Sequence, residues 1–200
     1  MTPGGPVKEK SFNMKHRRED FQILFCDIHE ALLAQSQTVS LSALRTNIEI
    51  LHHLGRHFGL PHHFLTVPVQ GKPGKLIDEL LRFQTESNTH YRYVADPFLT
   101  PDFESRLRVN VRRTLIICGF SAEVGVYFTA ISAVHSGFRV IIPVDCIGSR
   151  SLRTESVALR QLESAGVEII SLSTLAALME PDFSTEAGQF VLKQMSCIKS

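Results

Sequence analysis

The sequence predicts an α/β fold, a three-layer αβα sandwich around a mostly parallel sheet of about six strands. Three observations predict it. Short apolar runs bounded by turn residues recur along the chain, segments with apolar residues three and four apart lie between them, and the two kinds alternate nearly to the end. Strands that alternate with helices pair in parallel through right-handed crossovers, which puts helices on both faces of the sheet.

The elements follow in order. FQILFC, residues 21–26, is a continuous apolar run and reads as a strand buried on both faces, ending at Asp27. LSALRTNIEILHHLGRHFG places Leu41, Leu44, Ile48, Leu51, Leu54 and Phe58 on one helical face, and Gly59 and Pro61 stop it. HFLTVPV, 63–69, is the second strand, GKPGK a turn-rich loop, and LIDELLRF a short helix. YRYV, 91–94, is the third strand. DFESRLRVN is a short helix opened by Thr100 and Pro101. RRTLIIC is the fourth strand, and SAEVGVYFTAISAVHSG a helix ended by Gly137. FRVIIPV, the fifth strand, ends at Asp145; SLRTESVALRQLESAG is a helix ended by Gly166. VEIISL is the sixth strand, LSTLAALM the last core helix, and STEAGQFVLKQMSCI a helix packed on the surface or on a partner. This is a Rossmann-like order, in which ligands bind beyond the C-terminal strand ends at the topological switch point. Asp27, the 66–75 loop, the 91–98 segment, the 119–126 turn and 145–150 are therefore the places where a site is expected.

The 200 residues are 44% hydrophobic and 20% charged, enough for one domain, expected over 20–200, with residues 1–19 a disordered lead-in. A net charge of +1 gives no global pull toward nucleic acid or a membrane surface, and no apolar run is long enough to span a bilayer. The lead-in is basic-leaning but lacks the apolar core of a secretory signal, and Glu9, Glu19 and Asp20 oppose a transit peptide. A cytoplasmic location is expected, with a mitochondrial one as the alternative. Cys26, Cys118, Cys146 and Cys197 form no CxxC and read as free thiols.

Asp27 follows a buried strand at the ligand edge, where a carboxylate serves as general acid or base; the competing reading is a helix N-cap. Asp145 and the Ser149-Arg150-Ser151 stretch either hold an anionic group or tie their loop to the next helix. His52, His53, His57, His62 and His63 cluster without an acidic residue among them. His53 and His57 have metal-ligand spacing, yet histidines at a helix C-terminus also answer its dipole, and no metal is expected. GKPGK lacks P-loop spacing, and GFSAE has Glu123 where a nucleophile elbow needs glycine.

Six stretches bring a family into view: LFCDIHE, HFLTVPVQGKPGK, FLTPDFESRL, LIICGFSAEVGVYFTA, SGFRVIIPVDCIGSRS and ALRQLESAGVEIISLSTL. In this order, across residues 20–195, they resemble the isochorismatase-like cysteine hydrolase superfamily, and within it the eukaryotic isochorismatase-domain-containing group. The resemblance implies a catalytic Asp, Lys and Cys. The Asp matches Asp27, the Cys position is Gly125, and the Lys position falls at or near Tyr93. No lysine lies between Lys75 and Lys193. Arg92 is the nearest cation, and arginine stays protonated where a tuned lysine can shuttle a proton. His29, where the resemblance implies a glutamine, is a second accessory candidate. The expected pocket lining is Phe98, Ser121, Val124 and Tyr127.

Without sulfur at 125 the thiolate route is closed. The expectation is thus a hydrolase fold with a degenerate triad, serving as a binding or interaction protein for a small molecule or a protein partner. The alternative is a hydrolase without a cysteine nucleophile, Asp27 acting as general acid/base, for example on a vinyl ether. The resemblance also implies a homo-oligomer. No cofactor, nucleic acid or membrane partner is expected.

Overall fold

A computed structural model of the chain describes residues 17–69 and 71–199. The strands are β1 (Phe21–Cys26), β2 (His62–Thr66), β3 (Pro68–Val69), β4 (Lys72–Pro73), β5 (Thr89–Tyr91), β6 (Thr114–Phe120), β7 (Arg139–Pro143), β8 (Ile147–Gly148) and β9 (Glu168–Ile170). The helices are α1 (Glu30–Leu33), α2 (Leu41–His57), α3 (Asp78–Leu81), α4 (Phe103–Arg108), α5 (Tyr127–His135), α6 (Leu152–Ser164), α7 (Leu172–Met179) and α8 (Glu186–Met195). The main sheet is parallel, in the order β5-β2-β1-β6-β7-β9, with β8 pairing beyond the end of β7 on β6. β3 and β4 form a separate antiparallel hairpin. No helix among the described residues is long and apolar enough to cross a membrane.

The six expected strands are present, and β8 makes seven. Side-chain alternation divides β1 between two layers. Phe21, Ile23 and Phe25 face Leu44, Ile48 and Leu51 of α2 and Leu175 of α7. Leu24 and Cys26 face the opposite layer, with Phe103 and Leu107 of α4, Ala130 and Ala133 of α5 and Leu162 of α6. The third strand differs from the expected YRYV: it runs from Thr89 to Tyr91, paired to β2 through Phe64–Thr89 and Thr66–Tyr91. Thr89 and His90 are its buried residues, so the apolar signal slid toward Tyr93 and Val94, which are exposed. The C-terminal helix α8 packs on its own domain: Val191 is fully buried, and Phe190 stacks on His57 at 4.0 Å between ring centroids.

The expected disordered lead-in falls outside the described residues for 1–16. Arg18–Asp20 form a 3-10 turn, and Arg18 donates to the Met179 carbonyl and pairs with Glu180.

The chain starts at β1, moves outward to β2 and β5, then returns to β6 on the other side of β1. The switch point therefore lies between the C-terminal ends of β1 and β6. Gly119, at φ +125°, permits the close approach there: a Cβ on it would lie 1.9 Å from the Cys26 carbonyl oxygen.

Candidate functional site

The segments that leave β1 and β6 build one small pocket at this switch point. Asp27, Leu32, Val67, Arg92, Phe120, Ser121, Val124, Gly125 and Arg150 line a cavity of about 180 Å³. Asp27 sits at φ +51°, which turns its carboxylate away from the following helix. The carboxylate does not cap that helix; its Oδ2 accepts from Arg92 Nη2 in an ion pair almost sealed from solvent. Arg92 follows β5, and its Nη1 is pinned by the carbonyls of Val94 at 2.7 Å and Ala95 at 3.4 Å. Two polar atoms of the pair stay unsatisfied, Asp27 Oδ1 and Arg92 Nε. Burial pushes the Asp27 carboxyl up to about 6. The charge and hydrogen bond of Arg92 pull it down, and the Val67 amide adds a smaller pull without completing a hydrogen bond.

Beyond β6 the chain does not enter an α-helix directly. Residues Ala122–Val126 form a π-turn, in which Val124 N–H and Val126 N–H both donate to the Ser121 carbonyl. Gly125 lies in this wider turn, and its carbonyl accepts from Thr129 Oγ1 at 2.6 Å. A Cβ at 125 would lie 2.9 Å from Asp27 Oδ2, 3.0 Å from the Phe120 carbonyl and 3.3 Å from Arg92 Nη2. The space into which a side chain at 125 would project is thus closed by the Asp27–Arg92 pair.

Among the described residues no cysteine enters the gap. Cys26 is fully buried against the α5 layer, donates weakly to Thr129 Oγ1 at 3.9 Å and is pushed up to about 12 by burial first and the Asp27 charge second. Cys118 faces the opposite layer and is likewise raised by burial. The Ser121 hydroxyl lines the pocket and hydrogen-bonds to no imidazole or carboxylate.

Against this geometry the site residues read from the sequence divide. Asp27, Arg92, Ser121, Val124 and Gly125 meet in the pocket. Tyr93 does not; its side chain is 81% exposed, and the neighbouring Arg92 turns inward instead. Phe98 lies within the 3-10 turn Pro97–Leu99 and packs edge-on against Phe103 and Phe138, outside the pocket. Tyr127 lines a separate groove between α5 and α6 with Phe128 and Val157. His29 stands behind the pocket: Nε2 bonds Thr66 Oγ1 at 3.0 Å, Nδ1 is unpartnered, and burial, then Arg92, lower it to about 4. Leu32, Val67 and Phe120 were not singled out in the sequence. Phe120 had a signal, since it ends the strand whose turn was already suspect.

The other candidates serve structure. Asp145 Oδ1 accepts from Leu172 N–H at 2.7 Å and ties its loop to α7. Among the described residues, no group of three His, Cys, Asp or Glu side chains is arranged to hold a metal ion. His53 lies near Glu49 at 3.9 Å, and His57 stacks on Phe190.

Residues 21–174 match the model of the isochorismatase domain. The chain belongs to the isochorismatase domain family. The curated protein described as probable hydrolase YcaC of Escherichia coli strain K12 is 26% identical over 174 residues, covering 84% of this chain and 82% of that one. The structure of YcaC from Pseudomonas aeruginosa with hexane-2,5-diol and covalent acrylamide superposes with a TM-score of 0.84 at 24% identity, covering 92% of this chain and 93% of that one. MAR1 ribonuclease from Caenorhabditis elegans superposes at 0.78 with 20% identity, over 92% of this chain and 94% of that one. At such identities these structures establish the fold, and the ribonuclease name remains that protein's own. Within the isochorismatase-domain architecture, the pocket between β1 and β6 is where this chain assembles its charged residues.

Proposed function

We propose that this isochorismatase-domain protein has a degenerate catalytic set, performs no cysteine-hydrolase chemistry and uses the Asp27 pocket to bind a small ligand. One observation carries the reading: the Asp27–Arg92 ion pair closes over Gly125, where a nucleophilic side chain would have to project. In the resemblance to the eukaryotic isochorismatase-domain-containing group, Gly125 takes the cysteine position. Arg92, whose side chain turns inward beside Asp27, takes the lysine's place better than Tyr93. An arginine holds charge there and cannot pass a proton on.

A second reading has its own support. Asp27, which lines the cavity, is raised to about 6 and its Oδ1 has no hydrogen-bond partner, the state of a carboxylic acid able to protonate a bound vinyl ether. In that route the acid proton passes from Asp27 to the substrate carbon, water adds to the oxocarbenium ion and returns a proton to Asp27, and the hemiketal so formed breaks its C–O bond to release a carbonyl compound and an alcohol. Hydrolysis screens over amides, esters and vinyl ethers, run in parallel on wild type and Asp27→Asn, separate the two. The first reading expects no turnover in either folded protein. Turnover in wild type that disappears in Asp27→Asn would overturn it and name the bond class.

The proposal includes self-association. Val124, Phe128, Leu152 and Val157 leave apolar surface exposed beside the α5–α6 groove, and the Escherichia coli YcaC structure is described as an octameric hydrolase. Equilibrium sedimentation of the full chain tests it, and a monomer at micromolar concentration would contradict it.

A further inference from the structure

A second cavity opens at the other end of the sheet, between the starts of β2 and β5 and the end of α4. Its volume is about 420 Å³, and Pro61, His63, Ser87, Arg106, Val109 and Asn110 are among the residues that line it. Among the described residues no carboxylate lines it, and Arg106 brings its one formal charge. The two histidines of the lining stay neutral at physiological pH, because burial lowers His63 to about 4 and His62 to about 3.

Arg106 is fixed in place but not neutralised. Its Nη2 donates to the carbonyls of Glu86 at 2.7 Å and Ser87 at 3.0 Å, and it has no carboxylate partner among the described residues. With both Nη2 hydrogens given to carbonyls, neither edge of the guanidinium keeps the complete two-nitrogen fork that a carboxylate takes. The N–H groups left on Nε and Nη1 suit a tetrahedral oxyanion, whose diverging oxygens can be shared among separate donors. Asn110 supplies a second donor. Its Nδ2 lies 3.4 Å from His63 Nε2, but that nitrogen already carries a proton, because Gln22 Oε1 at 3.0 Å can only accept from it. The Asn110 N–H groups are therefore unused. The loop that carries them is strained: Val111 is β-branched and sits at φ +56°, and Val109 and Val111 stand 76% and 80% exposed on either side of Asn110. Strained, exposed loops of this kind cluster at ligand sites.

We infer that this cavity binds a phosphate group, its oxygens shared between Arg106 and Asn110. The space is worth roughly fourteen water molecules, more than the bare ion needs. Pro61 and Val109 give an apolar wall for the carbon part of a small phosphate ester. The site lies apart from the Asp27 pocket, and the inference does not rest on the reading proposed for that pocket.

The test is calorimetric titration of the full chain at neutral pH and constant ionic strength, with inorganic phosphate, glycerol 3-phosphate and acetate as probes. Both phosphates are expected to bind about tenfold more tightly than acetate. Asn110→Asp places a negative charge in the cavity and leaves the carbonyl bonds of Arg106 alone; it is expected to weaken phosphate binding by about tenfold. Arg106→Gln is expected to weaken it as much and Arg106→Lys to keep part of it, with circular dichroism showing each variant folded. Arg150→Gln, at the switch-point pocket, is expected to change nothing. An ester bound more tightly than free phosphate would name a phosphorylated small molecule as the ligand, and the reverse order would name the free ion. No phosphate binding, acetate bound as tightly as phosphate, full affinity in Arg106→Gln or in Asn110→Asp, or a loss in Arg150→Gln alone would overturn the inference.

Discussion

Two buried polar networks lie at opposite ends of one sheet, and they are built differently. At the C-terminal end, Asp27 and Arg92 carry formal charges, leave two atoms unpaired and border a cavity. At the N-terminal end the members are neutral: Gln22 Oε1 meets His63 Nε2 at 3.0 Å, and His63 Nδ1 meets His90 Nε2 at 3.1 Å, while His90 Nδ1 stays unpartnered and His63 also lines a cavity of about 420 Å³. The chain of bonds works in one sense. Gln22 Oε1 can only accept, so His63 Nε2 carries the proton and His63 Nδ1 accepts from His90. The Gln22 amide in turn donates to the Arg112 carbonyl at 2.9 Å. Burial of polar groups therefore does not mark a functional site by itself. An unpartnered atom and a neighbouring cavity occur at both ends, so formal charge placed at the switch point is the more specific signal.

The largest way to stress this comparison is acid. Burial is the leading cause of lowered values for His29, His52 and His63 to about 4, and for His62 and His90 to about 3. For each, the unfolded state binds a proton below about 6.5 that the folded state refuses. Stability is thus present above 6.5 and lost as pH falls toward 4, at up to about 1.4 kcal/mol per pH unit for each histidine. Asp27 has the opposite sign: its raised value favours the folded state at low pH, and that contribution disappears as pH rises from 3.8 to about 6. Five histidines outweigh one aspartate, so the melting temperature is expected to drop steeply between pH 6.5 and 5. A flat profile over that range would mean that the histidines are not buried neutral.

The next effect isolates the charged network. Arg92→Ala strands the Asp27 carboxylate without its partner and is expected to cost about 3–5 kcal/mol in urea unfolding at pH 7.5. Part of that loss is expected to return at pH 5, where Asp27 is protonated. The double variant Asp27→Leu with Arg92→Leu removes both charges and is expected to lose far less than the single. If the double lost as much as Arg92→Ala, the cost would lie in packing and not in the stranded charge.

How far the sequence carried this picture differs by element. β1, β6 and β7 were legible because each is a continuous apolar run buried on both faces. β8 was not, since two residues give no period to read. The π-turn was hidden as well: Ala122, Val126 and Ala130 keep helical spacing whether or not one turn is widened. Asp27 was legible as a carboxylate after a buried strand, but its ion pair needed β5 in place, and β5 is buried through Thr89 and His90. With the strand read at 91–94, the inward turn of Arg92 after β5 was not legible, and neither was the exposure of Tyr93.

Gly125→Ala tests the closure more gently than loss of a charge. The added methyl would stand 2.9 Å from Asp27 Oδ2, inside ordinary contact, and the carboxylate is not free to swing because Arg92 holds it. Overpacking of this kind costs about 1–3 kcal/mol. Equilibrium unfolding is expected to show that loss in wild type and a smaller one in an Arg92→Lys background, where the pair is looser. Equal losses in both would remove Arg92 from the account of why 125 is a glycine.

The smallest expected effect is also the one that separates neighbours. Tyr93 is exposed and makes no hydrogen bond among the described residues, so Tyr93→Ala removes a ring that touches little. Its cost is expected within about 0.5 kcal/mol, as for most surface substitutions. A loss well beyond that range in Tyr93→Ala would mean that the ring packs over the mouth of the pocket. The lysine's position would then have to be sought at 93 and not at 92.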